Sequence, residues 1–128
     1  MFIISAQTHF WASHQVRLPN GSEEPVHSHD WLVVAEVAGE QLNDMGLVMD
    51  FRRLKAIMDG ILANLEAAQL NALEYFRRRN PSAENVARYI YEQLEPRLPE
   101  GVELRSLCVG EEPGYLARFE RSCHDADA

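Results

Sequence analysis

Apolar and polar side chains change period twice along this chain, and the changes divide it into strands, then helices, then strands. Residues 2–17 are rich in β-branched, aromatic and small residues and predict a first strand. Pro19, Asn20, Gly21, Ser22 and Pro25 punctuate residues 18–26 and predict a loop. Residues 27–39 alternate, carry Val33, Val34 and Val37, and predict a second strand that pairs antiparallel with the first. The period then becomes helical. Leu54, Ile57, Met58, Ile61, Leu62 and Leu65 recur at steps of three and four, which predicts an amphipathic helix over about residues 51–66 with Asp50 as its cap. Asn80-Pro81-Ser82 marks a second helix start with Pro81 in the first turn. Val86, Tyr89, Ile90 and Leu94 form its apolar face, and Pro96 and Pro99 end it. Residues 102–109 and 114–121 predict two more strands about a turn at Pro113-Gly114, and the polar tail 122–128 is expected to fray. The order ββααββ lacks strand–helix alternation and so predicts an α+β fold on an antiparallel sheet.

Composition narrows the function classes. With 128 residues and no internal repeat, linker or low-complexity segment, residues 1–128 read as one domain. A content of 46% hydrophobic and 25% charged residues excludes disorder of the whole chain. Twelve basic against twenty acidic residues give a net charge of −8, so a nucleic-acid or anionic-membrane surface is not expected. No apolar run approaches the ~20 residues of a membrane span. Met1 to Gln7 lacks the basic start and longer apolar run of a signal peptide. Cys108 and Cys123 are too few for a disulfide framework. A soluble protein of a reducing compartment, the cytoplasm, is the expectation.

The histidines carry the first candidate chemistry. His27 and His29 stand two apart on a strand and point to one face, so both imidazoles can reach one ion. His14, near the end of the preceding strand, makes a third nitrogen. Three neutral imidazoles with an open fourth position suit zinc in a catalytic site. A His-x-His pair alone does not decide for a metal, since one ring in solvent and one bonded to a loop is the ordinary arrangement. His9 has the opposite parity to His14, and His124 falls in the tail.

These residues lie in segments that resemble one family, the 6-pyruvoyl-tetrahydropterin synthase and 6-carboxy-tetrahydropterin synthase family. Phe10-Trp11-Ala12-Ser13-His14 resembles its first zinc-ligand segment, and His27-Ser28-His29-Asp30-Trp31 resembles its His-Gly-His-Asn-Tyr. Residues 45–55, from Met45-Gly46-Leu47 to Lys55, are similar to its most recognisable stretch. Asn80-Pro81-Ser82-Ala83-Glu84-Asn85-Val86-Ala87 resembles its Asn-Pro-Thr-x-Glu-Asn-Leu-Ala, and Val109-Gly110-Glu111-Glu112 its Val-x-Glu-Thr. The resemblance implies a tunnelling fold (T-fold): a four-stranded antiparallel sheet with two helices on one face. It also implies trimers stacked into hexamers with sites between subunits, zinc on His14, His27 and His29, and a reduced pterin whose ring is anchored by Glu111.

The acid–base set departs from the family. Glu23 occupies the position of the family's cysteine base. The family's catalytic Asp-His pair corresponds to Glu66-Ala67, so the imidazole is replaced by a methyl group. Three readings stay open. In the first, the chain is a zinc-dependent lyase on a dihydroneopterin-type pterin with Glu23 or Glu24 as base. Some members use a glutamate near the cysteine position, and Glu24 stands three residues before His27. In the second, it is an inactive paralogue that binds zinc and a pterin. In the third, it is a scaffold with vestigial zinc. Asp30 is a candidate to orient a ligand histidine, Trp31 to wall the site, and Glu66 to face solvent at a helix end. Arg77-Arg78-Arg79 reads as a solvated cluster, with a triphosphate as its alternative partner.

Overall fold

The structure is a computed structural model that describes residues 1–121. The tail, with Cys123 and His124, lies outside the described residues. The core elements are β1 (Phe2–His14), β2 (His27–Gly39), α1 (Phe51–Leu62), α2 (Ala83–Leu94), β3 (Glu103–Glu112) and β4 (Tyr115–Phe119). The strands form one antiparallel sheet in the order β1-β2-β3-β4. Both helices pack on the same face, α1 against β1 and α2 against β3 and β4. This is the α+β tunnelling-fold arrangement expected from the sequence.

Register decides what meets what. β1 and β2 pair without a break from Phe2 opposite Gly39 to His14 opposite His27. Side chains alternate across a strand, so the even residues of β1 and the odd residues of β2 face the helices. Phe10, Ala12, Trp31, Val33 and Ala35 are buried there against Leu54 and Met58 of α1 and Ile90 and Leu94 of α2. Each such large apolar side chain contributes about 1.5–3 kcal/mol by leaving water.

Several boundaries differ from the predicted ones: β1 ends at His14 rather than at residue 17, β4 spans Tyr115–Phe119 rather than 114–121, and three further differences bear on the site. Helix α1 stops at Leu62, four residues early, because the chain turns back to the open edge of β1. There Ala67 N–H donates to Trp11 O at 2.6 Å and Ser13 N–H to Ala68 O at 3.0 Å. Those bonds satisfy edge groups that helix continuation would leave bare, and they hold Ala67 at φ 61°, a conformation non-glycine residues seldom adopt. Pro81 stands before the cap rather than inside the first turn: Ser82 is the N-cap, and its side chain accepts from Asn85 N–H. Strand β3 runs on to Glu112, three residues past the predicted end, which puts Glu111 inside the sheet. Two short 3₁₀ turns, Leu70–Ala72 and Glu74–Phe76, fill a stretch that carries no periodic signal. Asp50 caps α1 as expected, its carboxylate accepting from Arg52 N–H.

Candidate functional site

The unbroken β1–β2 register sets His14 beside His27 and brings His29 onto the same face. The three rings meet edge to face, with centroids 4.5 Å (His14–His27), 5.3 Å (His14–His29) and 4.6 Å (His27–His29) apart. Ligand atoms of His14, His27, His29 and Glu111 all lie within 4.8 Å of one another.

Backbone carbonyls set the tautomers. His14 Nδ1–H donates to Pro81 O at 2.7 Å, and His27 Nδ1–H to Pro25 O at 3.0 Å. Both rings therefore turn an unprotonated Nε2 inward, the two nitrogens 2.9 Å apart. His29 Nε2 is buried and makes no hydrogen bond, although Glu111 Oε1 lies 3.0 Å from it. Two facing lone pairs and an orphaned buried nitrogen are a donor set for a cation. Zinc–nitrogen bonds in a tetrahedron put two nitrogens about 3.3 Å apart, so the His14–His27 spacing fits with a shift of a few tenths of an ångström. The residues fit a divalent metal of the kind imidazoles hold. The Pro25 carbonyl raises the His27 pKa above its ordinary value; burial opposes this, and Glu24 and Glu111 reinforce it. Burial pushes the His29 pKa down, against the attraction of Glu111, and the neighbouring histidines add to the fall.

The carboxylates separate. Glu111 Oε1 lies 3.1 Å from His14 Nε2 and 3.6 Å from His27 Nε2 as well as close to His29. Glu111 also lines a groove of ≈ 460 Å³ with Glu84, Glu112, Tyr115 and Arg118. It thus belongs both to the histidine cluster and to the lining of this groove. Glu24 Oε1 accepts from Val16 N–H at 3.0 Å and lies 3.8 Å from His27 Nε2. Glu23 is exposed, and its carboxylate accepts from the Gln15 side-chain amide. Of the two candidate bases, the fold brings Glu24 to the histidines.

Other expectations divide as parity dictates. Trp31 is fully buried and walls the cluster, its ring centroid 4.9 Å from His14 and 5.8 Å from His29. Its indole N–H donates to Ala12 O at 3.2 Å, which fixes the ring. Asp30 does not orient a ligand: it points to the opposite face, 3.5 Å from His9 Nδ1. The carbonyls of Pro25 and Pro81 do that work instead, and a carbonyl leaves no trace in side-chain identity. Glu66 is exposed, as expected, and also accepts from Trp11 N–H at 3.0 Å at the β1 edge. Ala67 is exposed. Arg77 pairs with Glu74 at 3.0 Å and Arg79 lies 4.5 Å over the Tyr75 ring, so both are engaged away from the histidines. Cys108 is a free thiol whose pKa burial raises, on the sheet face away from the helices. Among the described residues, no helix is long and apolar enough to cross a membrane.

Comparison with known proteins agrees with this geometry. The profile of the family described as 6-pyruvoyl tetrahydropterin synthase matches residues 3–122. A dihydroneopterin monophosphate aldolase of Pyrococcus furiosus is 34% identical over 102 residues, 80% of this chain and 82% of the relative. The 6-carboxy-5,6,7,8-tetrahydropterin synthase of Bacillus subtilis is 31% identical over 113 residues, covering 84% of this chain and 75% of its own. The solved 6-pyruvoyl tetrahydropterin synthase of Caenorhabditis elegans superposes with a TM-score of 0.83 at 22% identity, over 94% of this chain and 96% of that one, a likeness of fold. A match that runs through all four strands, both helices and the three inward histidines leaves one assignment: the chain belongs to the 6-pyruvoyl tetrahydropterin synthase family.

Proposed function

We propose that this protein is a zinc-dependent lyase that shortens the side chain of a dihydroneopterin-type reduced pterin by a retro-aldol cleavage, with Glu24 as the base. One observation carries the reading: Glu24 lies 3.8 Å from His27 Nε2 at the rim of the histidine cluster, in a chain without the family's cysteine. The 34% identical relative named as an aldolase supports the same reaction type.

His14, His27 and His29 hold the metal, which when bound lowers the pKa of a substrate hydroxyl and bears the charge that develops there. Glu24 takes the proton of the hydroxyl on the far carbon of the scissile bond. That oxygen becomes the carbonyl of the departing aldehyde, and the carbon–carbon bond breaks. Its electron pair moves into the C=N of the dihydropterin ring. The proton held on Glu24 returns to the side-chain carbon left on the ring, giving 6-hydroxymethyl-dihydropterin. Atoms and electrons balance without a redox partner. Glu111 turns from the cluster toward the groove and accepts two N–H bonds from the amino-pyrimidine edge. Trp31 closes the floor of the site to water.

A second reading, an inactive paralogue that binds zinc and a pterin, draws support from the exposed methyl of Ala67, which moves no proton. The assembly is proposed to be a ring of copies, a trimer or a hexamer of two trimers. Phe2 and Ile3 on β1 and Tyr115 and Leu116 on β4 are exposed at the two open sheet edges, and ring closure pairs such edges.

The deciding experiment incubates zinc-loaded protein with dihydroneopterin and its phosphates and reads products by chromatography and mass spectrometry. His27→Ala, which removes a ligand, is the control. Zinc-dependent 6-hydroxymethyl-dihydropterin establishes the lyase. Bound substrate without turnover overturns it in favour of the paralogue.

A further inference from the structure

His14 is the one fully buried ligand, and its Nδ1–H ends on the carbonyl of Pro81. That carbonyl has a particular place in the chain. Ser82 is the N-cap of α2, and its own carbonyl already accepts from Val86 N–H at 2.9 Å. Pro81 O is therefore the last carbonyl outside the helical ladder and is free to accept from a side chain. Proline also restricts its own φ and offers no N–H to a competing bond.

The carbonyl is held in place from both sides. Asn80 Oδ1 accepts from Arg17 N–H at 2.8 Å, and Asn80 Nδ2 donates to Arg17 O at 3.1 Å. One amide side chain thus makes the pair of bonds that a neighbouring strand would make. Asn71 repeats the device two residues nearer, with 2.9 Å from Gln15 N–H and 2.8 Å to Gln15 O. With Ser13 N–H on Ala68 O at 3.0 Å, the outward edge of residues 13, 15 and 17 is satisfied at each alternate position around His14. On the helix side, Asn85 Nδ2 donates to Asn80 O at 2.9 Å while Asn85 N–H reaches Ser82 Oγ at 3.2 Å.

We infer that Asn80, braced by Asn85, is a positioning residue of the metal centre: it clamps the Arg17 backbone and so holds the Pro81 carbonyl where it keeps His14 in the Nδ1–H tautomer, with Nε2 turned to the cluster. The inference rests on the reading of His14 as a ligand. Release of that carbonyl lets the ring proton move to Nε2, and a protonated Nε2 has no lone pair to give a metal.

The test compares wild type with Asn80→Ala and Asn80→Asp. The aspartate keeps the volume and the acceptor for Arg17 N–H but loses the donor to Arg17 O. Long-range proton–nitrogen spectra of metal-free, ¹⁵N-histidine-labelled protein report the His14 tautomer, chelator competition gives zinc affinity, and thermal melting reports the fold. In wild type, His14 is expected to carry its proton on Nδ1 alone. In Asn80→Ala both tautomers are expected, with zinc affinity lower by roughly 10–100-fold, the usual effect of losing an outer hydrogen-bond partner, and Asn80→Asp falls between. An unchanged tautomer with zinc affinity within about twofold of wild type overturns the inference, even where melting drops, because a purely structural role moves only the melting. If Asn80→Ala does not fold, Asn80→Asp and Asn85→Ala carry the comparison. A wild type that takes up no zinc defeats the ligand reading instead, and the metal-free spectra still decide the role of Asn80.

Discussion

Replacing Glu24 by Gln separates the two things its carboxylate does. It accepts a hydrogen bond from Val16 N–H at 3.0 Å, and it places a negative charge 3.8 Å from His27 Nε2. Glutamine has nearly the same shape, and its amide oxygen still accepts from Val16, so the loop before β2 is expected to stay in place. What is lost is the charge and the base. With Nε2 unprotonated the His27 ring is neutral, so the lost charge is felt by a cation held at the cluster rather than by the imidazole. Both side chains are a third or more exposed, 33% for Glu24 and 37% for His27. Exposed ion pairs retain about 1 kcal/mol or less, so zinc affinity is expected to fall by less than about tenfold. Loss of a general base is larger, roughly 10²–10⁴ in rate, or about 3–5 kcal/mol of barrier. The two effects therefore fall on different axes. In assays of 6-hydroxymethyl-dihydropterin formation at saturating zinc, Glu24→Gln should lose most of kcat and keep its metal. Glu23→Gln, on an exposed residue bonded to Gln15, should behave as wild type. A Glu24→Gln enzyme that retains kcat within about threefold, or an equal loss in Glu23→Gln, refutes Glu24 as the base.

The other predictions concern the ring, the fold and the pH response. Glu111→Gln should weaken pterin binding in calorimetry, since the amide replaces one acceptor oxygen with a donor that clashes with the amino-pyrimidine N–H groups; unchanged affinity removes Glu111 as the anchor. Ser82→Ala removes the cap of α2 and should cost about 1 kcal/mol, seen as a fall of about 3–6 °C in Tm by calorimetry. The Glu36 carboxyl sits below its ordinary pKa because the Ser106 hydroxyl donates to it at 2.8 Å and the Arg118 guanidinium at 2.5 Å. Its stabilisation is therefore fully present above 4.5, the pKa of an unperturbed glutamate, and is lost as pH falls through the lower folded value. Urea midpoints of Glu36→Gln should accordingly lie below wild type at neutral pH, with a gap that narrows as pH falls below 4.5; a gap that does not change with pH rules this out.

Much of the fold was written in local patterns. Alternation over residues 27–39 and the three-and-four spacing from Leu54 to Leu62 reflect faces that must be buried, so period alone located β2 and α1. The positions of Pro, Gly and Asn located the breaks. Parity on a strand was enough to put His27 and His29 on one face and to keep His9 off it. Periodicity did not reveal the end of α1, because the chain leaves the helix to satisfy the bare edge of β1, a partner remote in sequence. Nor did it reveal that β3 reaches Glu112, since the extension rests on Gly110 opposite Leu32 and Glu112 opposite Tyr115, across an irregularity at Glu111, and not on a hydrophobic pattern. The site shows the same division. His14, His27 and His29 were legible as residue types able to bind a metal, and Glu23 and Glu24 as carboxylates near them. The choice of Glu24 over Glu23 came only from the path of the loop, which bonds one to Val16 and the other to Gln15. The carbonyls of Pro25 and Pro81 belong to the part that tertiary structure alone decided. Every residue has a carbonyl, and what makes these two functional is where the folded chain sets them, within hydrogen-bond reach of His27 Nδ1 and His14 Nδ1. Sequence determined which groups were available to chemistry; long-range pairing determined which of them meet, because contact between residues 14 and 81 exists only once the sheet and α2 have packed.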